Sequence, residues 1–280
     1  MSNDRPLRVI YTCFPGGRHK VLTMSYDDGR IEDRRLVEIF NKYGIKGTFN
    51  LNSFEESNEL ENKYLNERIP VSEYKELYKG HEVACHTSKH PTIARCPDEQ
   101  NLMQVLENRR DLERAVGYTV RGLAYPNGSV NEKLTQMLPY AGIRYGRTVK
   151  STMDFAMPDN YMLWNPTAHH NNPDLYKLGE KFKALFKTQY LYLMYVWGHS
   201  YEFTDKNNWD VIEGFCQQMG GREDIWYATN IDIYDYMTAA SELRVSVDGD
   251  FAFNPTAYDI WIEVDRTSYL CKSGEKTMLL

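Results

Sequence analysis

The sequence predicts an α/β fold: a (β/α) barrel of seven strands over residues 1–242, followed by a small antiparallel β appendage over residues 243–280. Three observations predict it. Short apolar runs alternate with segments of helical periodicity seven times, a pattern that demands parallel strands joined by right-handed crossovers. Polar residues able to do chemistry fall at the C-terminal ends of those runs, where parallel barrels gather their functional groups. After about Leu243 the alternation stops, and VSVDGDFAF reads as a hairpin turning at Asp-Gly.

In chain order, LRVIYTCF and the turn PGGR lead into the first barrel strand, Val21 to Tyr26, which ends on Asp27 and Asp28. Ile31 to Tyr43 is a helix, because Leu36, Val37, Ile39 and Phe40 share one face and Gly44 stops it. IKGTFNLN is the second strand, and residues 53–68 form a polar inserted loop or helix. Val71 to Lys79 is a short helix, HEVACHT a strand, Asp98 to Val116 a long helix and VRGLAYP a strand. Asn131 to Tyr140 is helical and IRYGRT is the fifth strand. Residues 151–173 carry too much Pro, Asn and Asp for regular structure and read as an excursion. A helix from Asp174 to Lys187, the strand YLYLMYVWGH, a helix from Asp210 to Met219, the seventh strand IWYATN and a helix from Ile231 to Ser241 complete the barrel. The appendage continues with YDIWIEVD and a last strand near TMLL, expected to pack on the barrel.

Composition narrows the function. A net charge of -6 argues against a nucleic-acid or anionic-membrane surface, either of which needs a basic patch. Five widely spaced cysteines without a CxxC signal neither a disulfide framework nor a thiolate metal site. MSNDRPLRV has no apolar signal region and no run reaches membrane-spanning length, so a cytoplasmic location is expected.

The rim carries the chemistry. Asp27 and Asp28 end the first strand, His86 with His90 the third, Tyr125 to Gly128 the fourth, Arg147 the fifth, His199 the sixth and Asn230 the seventh. Adjacent carboxylates repel, so a buried pair needs a cation or a shared proton, unless it is a solvated turn capping the next helix. His86 and His90 stand one helical turn apart, so both imidazoles can face one point, and a carboxylate from the first strand completes three ligands. Asp-His-His with open positions suits zinc first, with cobalt, nickel or manganese as alternatives. His81, at the other end of its strand, reads as structural. Trp164 and Trp197 offer flat faces to a sugar ring, with at least one of them expected to be core instead, and Tyr125, Asn127 and Arg147 are further expected substrate contacts. The doublet His169-His170 reads as a loop feature of the excursion.

SYDDG, HTSKH, AYPNG and WGH, in that order at those strand ends, resemble the motifs of the polysaccharide deacetylase family, carbohydrate esterase family four, over roughly residues 19–240. The resemblance implies a distorted seven-stranded barrel and a metal-dependent hydrolase that removes an N-acetyl group from a saccharide. It implies that Asp28, His86 and His90 bind the metal, that Asp27 is the general base and that His199 is the acid protonating the leaving amine. The backbone N–H of Asn127 would hold the oxyanion. Two departures stand out. The family's Arg before its Pro-Pro-Tyr-Gly motif is replaced by Ala124, with Arg121 or Arg147 as substitutes. The family's DxxDW motif is absent, leaving Asp154 and Asp159 as weak candidates to orient His199.

Other readings start from the same residues. One is hydrolysis of another C–N bond, in a small amide or cyclic ureide. A non-heme iron oxygenase would use the same ligand set, but those usually sit on antiparallel barrels. A carbohydrate-binding protein would need aromatic platforms but no base beside a metal ligand. The expected partner is a saccharide or small N-acylated substrate.

Overall fold

The computed structural model describes residues 7–53 and 67–279. The insertion expected between Ser53 and Arg68 lies almost wholly outside the described residues. Strand β1 (Ile10–Cys13) precedes β2 (Lys20–Asp27), helix α1 (Asp33–Tyr43) and β3 (Gly47–Leu51). Then come α2 (Tyr74–Leu77), β4 (Glu82–Cys85), α3 (Asp98–Val116), β5 (Gly122–Ala124), α4 (Glu132–Met137) and β6 (Tyr145–Arg147). Next follow β7 (Ala168–His169), α5 (Leu175–Ala184), β8 (Tyr192–His199), α6 (Tyr201–Asp205), α7 (Trp209–Met219), β9 (Ile225–Tyr227) and α8 (Asn230–Ser241).

The helices form where apolar spacing demands them. On α1, Leu36, Val37, Ile39 and Phe40 are buried against the sheet, each burial stabilising by about 1.5–3 kcal/mol. Gly44, at φ 66°, ends the helix in the left-handed conformation that other residues resist. Thr229 and Asp232 form a reciprocal capping box at the start of α8.

The parallel sheet runs β6-β5-β4-β3-β2-β8-β7, with β9 added beside β2. Two expectations change here. The excursion is not irregular throughout: Trp164 bridges Arg147 in parallel, and β7 pairs with β8, so residues 164–169 stand between β6 and β8 as the closing wall. IWYATN, expected as a full stave, pairs only with Lys20 to Leu22, below the point where β3 takes over from Met24 to Asp27. Asn230 therefore sits not on the rim but in the barrel interior, bonded to Thr23, Thr48 and Tyr195.

Side-chain alternation on β2 sends Thr23, Ser25 and Asp27 inward, and Leu22, Met24 and Tyr26 outward to the main core under the helices. The interior is layered. Glu82, Tyr145, Thr48, Asn230 and Tyr195 form a polar middle layer, and Asp27, His86 and His199 stand above it at the C-terminal ends of the strands.

Five strands follow the barrel: β10 (Arg244–Val245), β11 (Phe251–Phe253), β12 (Ile260–Val264), β13 (Thr267–Cys271) and β14 (Lys276–Met278). They form two three-stranded antiparallel sheets, β1-β12-β13 and β10-β11-β14, so the first strand of the described chain joins the last segment. Ala252, Ile260, Ile262 and Val264 share a buried cluster with Val21, Leu193, Tyr195 and Ile233, which fastens these sheets to the barrel. All five cysteines are free thiols, and among the described residues no helix is long and apolar enough to cross a membrane.

Candidate active site and metal centre

Asp27 and Asp28 point to different partners because β2 ends between them. Asp27 is the last strand residue and projects inward; Asp28 turns at φ 80°. Neither caps α1, whose N-terminus has no side-chain cap, which removes the solvated-turn reading. Asp28 Oδ1 lies 3.7 Å from His86 Nε2 and 3.9 Å from His90 Nε2. The two histidines do not sit on a helical turn as expected. Thr87 and His90 adopt φ 65° and 54°, and this tight loop brings the rings to 4.7 Å between centroids.

The donor set fits a divalent cation. His86 Nδ1 is 2.8 Å from the carbonyl of Ala124, which fixes the ring and leaves Nε2 facing the carboxylates. Burial, only partly countered by Asp27 and Asp28, pulls the His86 pKa down to about 4, so its ring is a neutral donor at ordinary pH. The backbone of Ala124 thus orients the His86 ring.

Arg147, paired in register with Ala124 on the neighbouring strand, is the residue that meets Asp27. Its Nη2 donates to both oxygens of Asp27, while Asn50 Nδ2 donates to Oδ1 at 2.9 Å. Burial would raise the Asp27 pKa, but the charge of Arg147, aided by His86 and His199, more than offsets it and holds the carboxyl at about 2. Arg147 is 0 % exposed and is not a substrate contact, which corrects the expectation from its strand-end position. Arg121 is spent elsewhere, on both oxygens of Asp235.

His199 faces Asp27, with Nε2 4.0 Å from Oδ2, and its Nδ1 lies 2.8 Å from Glu202 Oε1. Burial disfavours the imidazolium, yet the hydrogen bond to Glu202 and the charges of Asp27 and Asp28 raise the His199 pKa above its usual value. Neither Asp154 nor Asp159 orients it: Asp154 accepts from the backbone of Phe155 and Ala156 in its own loop. Sequence reasoning missed Glu202, although the spacing of HSYE puts it one turn after His199.

The expected sugar platforms are largely enclosed. Trp164 is 0 % exposed, ringed by Tyr145, Tyr161 and Tyr195, and Tyr125 is buried with its hydroxyl on the carbonyl of Met162, so neither side chain reaches a ligand. Trp197 keeps 9 % of its surface, between the Arg147 guanidinium and the edge of His169. Asn127 is exposed at φ 56° in the turn after β5. Tyr201, 5.2 Å from His199 between ring centroids, is a half-buried aromatic that the sequence did not single out.

His169 and His170 are not a plain loop feature: with Glu202 they form a second His-His-carboxylate group. This group does not suit a cation. The backbone N–H of Asn171 donates to His169 Nδ1 at 3.1 Å, which makes Nε2 the protonated nitrogen. Glu202 is already filled, with His199 and His169 on Oε1 and Asn171 and Lys206 on Oε2. His170, pushed down to about 4 by burial, is neutral.

Residues 15–146 match the sequence profile described as polysaccharide deacetylase. A Mycobacterium smegmatis protein assigned to the polysaccharide deacetylases shares the fold at 15% identity and a TM-score of 0.60, over 81% of this chain and 93% of that one. The peptidoglycan deacetylase PdaC of Bacillus subtilis matches at 15% identity and a TM-score of 0.49, over 80% of this chain and 95% of that one. A Streptococcus pyogenes deacetylase, PplD, solved with acetate, matches at 20% identity and a TM-score of 0.41; the match takes in 45% of this chain and spans 55% of that one. No curated protein matches the chain. The likeness of fold rests on the first of these structures.

Proposed function

We propose, from the match of residues 15–146 to the polysaccharide deacetylase family, that the chain is a metal-dependent hydrolase removing an N-acetyl group from a saccharide or a small N-acylated substrate. One observation carries the reading: a buried carboxylate kept ionised by a guanidinium, Asp27, stands beside a His-His-Asp donor set and opposite a histidine on a carboxylate. When bound by Asp28, His86 and His90, a divalent ion, zinc by preference, supplies Lewis acidity for the acyl group and makes water a better nucleophile at neutral pH. Asp27 takes the proton from the attacking water, with Arg147 and Asn50 holding both its oxygens in place. The N–H of Asn127 donates to the oxyanion. As the C–N bond breaks, His199 gives its Nε2 proton to the departing nitrogen, which leaves poorly as an anion. Glu202 holds His199 by Nδ1 so that Nε2 is the end presented to the cleft.

Hydrolysis of a small amide or cyclic ureide would use the same groups, and a screen of N-acylated substrates by mass spectrometry separates the two. The roles of the neighbours are tested together. Asp27→Asn should keep its metal and lose about a hundred- to ten-thousandfold in acetate release. Asp28→Asn should lose both metal and turnover. Near-wild-type turnover in Asp27→Asn on the true substrate would remove the base assignment, and full metal content in Asp28→Asn would remove the site.

A further inference from the structure

We propose that His169 is a positioning residue that sets the basicity of His199 by sharing its carboxylate. The inference rests on the reading of His199 as proton donor for its functional meaning, but not for its measurement. Both imidazoles meet one oxygen: His199 Nδ1 is 2.8 Å and His169 Nε2 3.3 Å from Glu202 Oε1. The tautomer of His169 is fixed by the Asn171 N–H on its Nδ1, so its Nε2 carries the proton and stands 3.3 Å from that oxygen. Electron density that His169 draws from Oε1 is lost to the His199 imidazolium, and His199 is correspondingly less basic.

The wall holds His169 in place to do this. Its strand, β7, pairs with β8 at Val196 and Trp197, and the next residue's N–H donates to the carbonyl of Trp197 at 2.8 Å. The His169 ring meets Trp197 edge-on at 4.6 Å. His170 packs between Tyr26 and Phe203, and it fits because Gly198 has no side chain: a Cβ there would lie 2.0 Å from the ring.

Other charges surround His199: the Arg147 guanidinium holds the Asp27 oxygen that faces its Nε2. Asp27 and Asp28 at the end of β2 favour its protonated form, as does Glu202 on α6. His170, neutral, stands 3.6 Å from Glu202 Oε2. Lys206 donates to the same Oε2 at 3.0 Å, and Tyr201 lies beside the His199 ring with the Arg30 guanidinium over the Tyr201 ring. Among these, His169 alone competes for the oxygen that His199 uses.

The test reads the His199 ring directly, by NMR titration of the imidazoles in the protein as purified, with His199→Gln to assign the signal. His169→Ala should raise the His199 pKa by about half to one unit, since a donor to its carboxylate is gone. His169→Gln, whose amide N–H can reach Oε1, should bring the value back toward the wild type. If His199 is the proton donor, the alkaline limb of amide hydrolysis moves upward with the NMR value in His169→Ala and returns in His169→Gln. An unchanged or lowered His199 pKa in a His169→Ala protein with wild-type circular dichroism would overturn the proposal. A raised pKa with an unmoved alkaline limb would keep the coupling and remove His199 from the proton-donating role. Should His169→Ala fail to fold, His169→Gln against His169→Leu, which keeps the bulk without a donor, makes the same comparison.

Discussion

Asp27 and Glu82 are both buried carboxyls that line the inside of one barrel, yet they differ in charge. Asp27, in the top layer, meets a guanidinium and stays ionised down to a pKa of about 2. Glu82, in the middle layer, meets the hydroxyls of Thr48 and Tyr145 and the N–H of Ile231. Burial raises its pKa, these neutral donors recover only part of the loss, and the carboxyl titrates at about 7. Neutral hydrogen bonds therefore do not keep a buried carboxylate charged here, and a full positive charge does. The same contrast explains why the doublet Asp27-Asp28 is tolerated: each carboxylate has its own partners, Arg147 and Asn50 for one and two imidazoles for the other.

The largest effect expected from breaking this contrast is at Arg147. Arg147→Met leaves Asp27 buried without its cation and should cost about 3–5 kcal/mol in urea denaturation. Adding Asn at position 27 in the same chain should recover much of that loss, because no buried charge is then left unpaired. Equal stabilities in all these proteins would mean that the pair does not hold the barrel top together.

At Glu82 the sign reverses. Its folded pKa, about 7, lies above its unfolded value, so its contribution is fully present below the unfolded pKa and is lost as pH rises through the folded one. Comparing wild type with Glu82→Gln, the stability difference should move against the wild type by about 3 kcal/mol between pH 4.5 and 7.5, and stay level above that. Parallel stability curves would show that Glu82 titrates like an exposed carboxylate.

A smaller effect sharpens the comparison at the cleft, where a carboxylate supports a cation instead of receiving one. Glu202 raises the His199 pKa, so Glu202→Gln should lower it and bring the alkaline limb of amide hydrolysis down by about one pH unit. A pH–rate profile that does not move would mean that Glu202 has no influence on the group controlling that limb.

The sequence was most readable where a residue's task depends on its own strand. Asp28 and His86 follow strands whose apolar runs are plain, and their meeting follows from parallel order, while His90 joins them through the loop after β4. Arg147 was named for the right end of the right strand with two tasks, as a substitute arginine for Asp27 alongside Arg121 and as a substrate contact, and the sequence could not choose, because which inward side chains meet across a barrel depends on stagger, which no local pattern encodes. Glu202 escaped because its signal is a three-residue spacing after a strand, not a motif. The wall at residues 164–169 was hidden by its Asn-Pro start and its short pairing, which look like a loop when read alone. Asn230 was misplaced for the opposite reason: its strand was recognised, but β9 stops low on β2, so the end of that strand is not the end of the barrel.

One feature of the appended sheets governs how the chain can be made. β1 pairs with β12 from Ile10–Val264 to Cys13–Trp261, and the neighbouring Val9 N–H binds Asp265 at a separation of 256 residues. During synthesis β1 leaves the ribosome early, and its partner emerges only after the whole barrel has been translated. Until then its strand edge is open, and an open edge invites pairing with other chains. The short length of β1 limits that hazard, and the late closure makes this contact one of the last native features to form.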